Sequence, residues 1–200
     1  MKVDHSQPLE YSTEQNRLNI LGFWIFLGAE IMLFGTLFTS YFTLVDRTGD
    51  GPTGVEIFEI FPVLMETFLL LTSSFVIGLG IHAMRLGNKK AMLTFFAITL
   101  LLGLGFLGFE IDEFIVYYHE GATLQTSAFT SMLFTTLGTH GAHVTLGFFW
   151  GLFIIIQVAK RGLTPETANK SFIFSLYWHF LDVVWIFIFT FIYLEGMTRV

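Results

Sequence analysis

The chain has 200 residues, 54% of them hydrophobic and only 13% charged, with 25 phenylalanines, a mean hydropathy of +0.68 and a formal net charge of −6. Soluble domains carry roughly 25% charged residues, so this composition cannot cover a water-exposed surface and excludes a soluble globular enzyme. The absence of cysteine removes disulfides, thiolate metal sites and thiol nucleophiles together.

Residues 1–18 are polar and mixed in charge, which predicts a cytoplasmic N-terminal tail. The first apolar run is too long for the core of a cleavable signal peptide, so it is expected to remain in the protein. Residues 19–200 read as one transmembrane domain. Apolar runs over 19–44, 62–84, 91–117, 128–159 and 171–194 each exceed the ~20 residues a helix needs to cross ~30 Å of hydrocarbon. Backbone groups in lipid must be satisfied within the chain, and membrane strands need only about 9–11 alternating residues. The predicted fold is therefore all-α: a polytopic membrane protein built as a bundle of five transmembrane helices.

The turn-rich segment DRTGDGPTGVEIFE, between the first and second runs, is expected to be an exposed connection. Pro62 is expected to open the second helix, where its missing N–H costs nothing, and Gly87 with Asn88 to close it. In the third run Gly103, Gly105 and Gly108 predict close helix approach. The fourth run is long enough to tilt or to project from the bilayer. In the fifth, Tyr177, Trp178 and Trp185 lie too deep to be only interfacial residues, whereas Tyr193 is expected at the outer interface.

Eight of the ten Lys and Arg residues fall on one side: Lys2, Arg17, Arg85, Lys89, Lys90, Lys160, Arg161 and Lys170. Only Arg47 and Arg199 fall on the other. The positive-inside rule then places the N-terminus in the cytoplasm and the C-terminus outside. Because charge is sorted by topology, the net value of −6 implies no acidic or basic partner, and no basic stripe with interleaved aromatics marks a nucleic-acid site.

Function must lie in the polar residues inside the apolar runs. Counting along the helices places Glu30, His140, His143 and Asp182 near mid-membrane. Glu66, Glu110, Asp112 and Glu113 fall toward the outer face, and His82 and His179 toward the inner. Six carboxyl groups thus face four imidazoles with no Lys or Arg deep in any span, and an isolated ionised carboxylate in hydrocarbon is costly. Some acids must be neutral, paired with histidine, hydrated, or turned toward another subunit.

His140 and His143, three residues apart, share a helix face. They could hold a metal or haem, or bond carboxyl or hydroxyl groups of neighbouring helices; a bond from His143 to a carboxyl on another span is one form of the second reading. His179 and Asp182 repeat the spacing and are expected to satisfy each other locally. Glu110 and Glu113 do so again, and could serve a proton path, a lipid headgroup contact or a packed neutral hydrogen bond. No phosphate-binding glycine loop, serine elbow or HExxH helix is present. The residues alone leave two classes open, a transporter or proton conductor and an accessory subunit; the short loops without broken inverted repeats weigh against a secondary transporter.

The stretches LGFWIFLGAE (21–30), ETFLLLTSS (66–74), LGFEIDEF (107–114), GTHGAHVTLG (138–147) and SLYWHFLDVVWIFIF (175–189) resemble subunit III of the haem-copper respiratory oxidases. The similarity runs in the family's order from about Leu18 to the end. It implies an accessory subunit with no haem or copper of its own, packed mainly against a subunit I that carries both, alongside subunit II and a small subunit IV. It also implies phospholipid bound between helices, support for proton uptake by subunit I, and quinol as the substrate of the complex. On that resemblance Glu110 and Glu113 match the third-span acidic pair, His140 and His143 the HGxHV motif, and His179 with Asp182 the WHFxD motif, all as framework and lipid-region positions, with no catalytic, cofactor-binding or metal-binding residue. Longer members have seven spans, and the first two are missing here. EYSTEQNRLNILGFWIFLGAE at the start and KRGLTPET before the last span resemble the menaquinol oxidases of Gram-positive bacteria; cytochrome c oxidase remains the alternative, and an independent transporter a more distant one.

Overall fold

A computed structural model describes residues 6–198, so Lys2 and Arg199 of the charge count lie outside the described residues. A short 3-10 turn, Leu9–Tyr11, leads into α1 (Glu14–Leu44). After it come a small helix α2 (Gly54–Ile57), then α3 (Ile60–Arg85), α4 (Lys89–His119), α5 (Ala128–Arg161) and α6 (Pro165–Ile188). The last helix continues through a π-helical turn, Phe189–Leu194, into α7 (Glu195–Thr198). Five helices are long and apolar enough to cross a membrane among the described residues, as the apolar runs predict.

Helices α3, α4, α5 and α6 form a ring closed by α3 against α6, and α1 lies in the groove between α5 and α6. The buried residues explain that order. On α4 they include Met92, Phe96, Thr99, Gly103, Phe106, Glu110, Glu113 and Tyr117, alternately four and three apart, with Leu100 beside Thr99, the repeat of a left-handed bundle. Helix α1 buries only Ile20, Leu27, Phe34 and Tyr41 along its apolar length, one residue per two turns, which is why it sits at the periphery.

Helix ends follow local chemistry. Thr13, Asn88, Ser127 and Thr164 cap α1, α4, α5 and α6 by accepting a backbone N–H, the role short polar side chains favour. Gly87 (φ 73°) ends α3, with its N–H on the Met84 carbonyl and the Asn88 N–H on the Ala83 carbonyl. Asn88 thus closes one helix and opens the next. Helix α3 begins two residues before Pro62; the proline sits inside the first turn, where its N–H would have had no helical acceptor.

The N-terminal tail and the 46–59 connection, the latter expected to be exposed, are both docked. Glu10 is fully buried and takes Arg85 at 2.8 Å, while Asn169 Nδ2 donates to the Glu10 and Asn16 carbonyls. The tail from Leu9 therefore packs on α6, and α1 starts at Glu14. In the 46–59 connection, Ile57 and Phe58 are buried, and the Phe58 ring lies 5.1 Å from that of Tyr193. Thr53 and Glu56 close a capping box, whose backbone and hydroxyl donors hold the Glu56 carboxyl below its ordinary pKa. Apolar side chains in a polar loop find one end of the bundle, and the loop becomes its cap.

Candidate functional site

The residues singled out in the sequence occupy three polar layers. In the middle, α1 and α5 bring Glu30 and His143 together: His143 Nε2 lies 3.1 Å from Glu30 Oε2 and its Nδ1 is 2.7 Å from the Thr139 carbonyl. The carboxyl group on another span is thus Glu30. Tyr177 Oη donates to the His143 carbonyl at 3.0 Å, tying α6 to the pair. His140, one turn away, is fully buried, with its ring 5.7 Å from Phe106 and 5.5 Å from Trp185. The two imidazoles have different neighbours, a carboxyl and a carbonyl for His143 and aromatic rings for His140. Among the described residues no cluster of three or more His, Asp or Glu side chains could hold a metal ion.

Along α3 and α6, two sequence motifs meet as antiparallel partners. Trp185 Nε1 donates to Thr67 Oγ1 at 3.0 Å, Trp178 Nε1 to Ser73 Oγ at 2.8 Å, and His179 Nδ1 lies 2.6 Å from Ser74 Oγ. The pairing expected between His179 and Asp182 does not form. Ser74 takes the imidazole, and neither Asp182 oxygen has a hydrogen-bond partner among the described residues. These hydroxyls escaped the sequence reading, although every buried indole N–H demands an acceptor and ETFLLLTSS supplies them. His82, expected beside this layer, is exposed.

Toward the end of the bundle capped by the 46–59 connection, Glu113 is buried and accepts from Tyr117 Oη and Tyr193 Oη, both at 2.6 Å. Tyr193, expected at an interface, is completely buried within the bundle. The π-helical turn accommodates an extra residue and rotates the end of the helix about its axis, which carries Tyr193 inward. Glu66, also completely buried, has no partner for either oxygen among the described residues. Glu110 shares the face of Glu113, but no hydrogen bond joins them. Its carboxyl lies over Gly141 on α5, so close that an added Cβ there would overlap it. Asp112 is exposed. A recess of about 120 Å³ between the 46–59 cap, α3 and α4 reaches Glu113 past Glu59 and Asp112.

The glycines of α4 divide. A Cβ at Gly103 would meet the Trp178 ring at 2.8 Å and one at Gly105 would meet Leu69 at 3.3 Å, whereas Gly108 meets nothing within 4 Å. The first two serve helix packing as predicted, and Gly108 opens onto the bundle surface.

Among the described residues, the buried polar groups thus form separate hydrogen-bonded pairs and unpartnered carboxyls between the helices. Residues 10–197 match the family described as cytochrome c oxidase subunit III. The chain is 60% identical over 190 residues to the quinol oxidase subunit 3 of Bacillus spizizenii and, equally, to that of Bacillus subtilis, covering 95% of this chain and 93% of each relative. It is 50% identical over 190 residues to the cytochrome c oxidase subunit 3 of Bacillus sp. strain PS3, covering 95% and 92%. With a match along nearly its whole length, the chain belongs to the cytochrome c oxidase subunit III family.

Proposed function

We propose that the chain is the non-redox accessory subunit III of a proton-pumping terminal quinol oxidase in the bacterial cell membrane. The observation that carries this reading is the 60% identity to the two Bacillus quinol oxidase subunits, against 50% to the cytochrome c oxidase subunit of strain PS3. Quinol is oxidised and oxygen reduced to water in partner subunits, with haem and copper in subunit I. His140 and His143 do not fit a haem or copper. One is walled in by aromatic rings and the other is committed to Glu30 and the Thr139 carbonyl. The chain's work is then assembly, lipid binding and sustained proton uptake by subunit I, with contacts to subunits I, II and IV. Its N-terminus is cytoplasmic and its C-terminus outside, the arrangement that Arg85, Lys89, Lys90, Lys160 and Arg161 favour.

Purification through a tag on this chain is expected to bring haem-bearing partners with it, and the preparation to oxidise quinol faster than cytochrome c. The chain alone in liposomes is expected to transport nothing. Isolation from native membranes as a haem-free, self-sufficient unit would refute the reading.

The chain supplies no deep Lys or Arg for its buried acids, so one or more of Glu30, Glu66, Glu110 and Glu113 is assigned to a lipid, water or partner contact. Each is to be replaced by Gln in the assembled complex. At least one variant is expected to lose lipid, assembly or turnover stability, and four unchanged variants would reject the assignment.

A further inference from the structure

A groove of about 450 Å³ runs along the bundle surface between α4 and α5. Its walls include Leu104, Leu107 and Ile111, and its floor Gly138, Gly141 and Glu110. Side chains beginning at Gly108 or Gly138 would meet nothing within 4 Å, so this strip lies open to whatever adjoins the subunit. Small residues in a membrane helix admit a second helix at close range. A small-residue strip alone would say little. Here it is joined by Glu110, only 4% exposed, whose Oε1 has no hydrogen-bond partner among the described residues.

Depth selects the occupant. Glu110 lies about 9 Å outward from the midpoint of α4, and Gly141 about 5 Å from that of α5, at ~1.5 Å per residue. Both are inside a ~30 Å hydrocarbon layer, where a lipid offers methylene groups and no polar hydrogen. An unpaired polar group in such surroundings is costly, and only a protein side chain can bring a complementary group to that level.

We propose that this groove seats a transmembrane helix of another oxidase subunit, which lays a close-packing face on Gly108 and Gly138 and bonds Glu110 through a hydroxyl or amide side chain. The inference rests on the accessory-subunit reading and adds to it a specific contact surface.

The chain's lack of cysteine makes the test clean. Gly138→Cys, carrying a thiol-linked photo-crosslinker, is irradiated in the purified complex, and adducts are traced to residue 138 by mass spectrometry. An adduct with an identified membrane helix of another oxidase subunit is expected. A phospholipid adduct, a second copy of this chain, or no adduct would overturn the proposal. Independently, Glu110→Leu is expected to raise the fraction of this chain washed from the complex by detergent roughly tenfold, in keeping with helix–helix hydrogen bonds in membranes. Glu110→Gln, which keeps a hydrogen-bonding oxygen, is expected to hold. Equal loss from both variants, or from neither, would also overturn it. The haem spectrum of the same preparation reports separately whether the chain resides in an oxidase at all.

Discussion

Trp178→Ala is expected to destabilise the bundle by about 3–5 kcal/mol, the range for deleting a fully packed tryptophan. The indole lies where α3, α4, α5 and α6 converge. Its Nε1 is bonded to Ser73 on α3, and its ring fills the spaces left by Gly103 on α4 and Gly147 on α5. It is 1% exposed, whereas Trp24 on α1 is 56% exposed. Truncation leaves a cavity among rigid helices and a serine hydroxyl without its donor. Trp24→Ala, in contrast, is expected to change the solubilised chain by no more than ~0.5 kcal/mol. Thermal unfolding of the two variants in detergent, followed by near-ultraviolet circular dichroism, checks the contrast. Equal shifts would mean that the convergence at Trp178 does not hold the ring together.

Glu113→Leu is the second large effect. Both carboxyl oxygens are occupied by phenol hydroxyls at 2.6 Å, from Tyr117 on the same helix and from Tyr193 beyond the start of the π turn. Leucine strands two hydroxyls in a closed interior, and each buried group left unsatisfied costs roughly 1–3 kcal/mol. Replacing all three polar partners should restore much of the loss, because removing a whole buried hydrogen-bonded set can be nearly neutral. The triple variant Glu113→Leu, Tyr117→Phe, Tyr193→Phe is therefore expected to be more stable than Glu113→Leu alone. Denaturation of the parent, Glu113→Leu, the double tyrosine variant and the triple variant in one detergent measures this non-additivity, and strictly additive losses would contradict the geometry.

The five spans were legible because the bilayer sets a length that apolar runs either meet or miss. Helix rotation was harder to read. Lipid is as apolar as a helix interface, so leucine and phenylalanine cover both faces and the usual amphipathic contrast fades. Polar residues therefore became the guide, and Glu30, Glu66, Glu110, Glu113, His140, His143 and Asp182 do turn toward neighbouring helices or the grooves between them. Pairings between spans were not legible residue by residue, because the partners are far apart in the chain: Glu30 with His143, Ser74 with His179, Glu10 with Arg85. The burial of Tyr193 is hidden for a local reason: the π turn that contains it has no signature in FTFIYL. The docking of Ile57 and Phe58 was hidden by the glycines and charges around them.

The single link at Gly87 and Asn88 bears on biogenesis. A turn that ends α3 and starts α4 with no spare residue makes the two an obligate hairpin. The nascent chain therefore supplies the permanent neighbour of α3 within the next 31 residues to be synthesised. Glu66, an acid that α3 must carry into the bilayer, finds shelter from the acyl chains long before the ribosome has finished the last span.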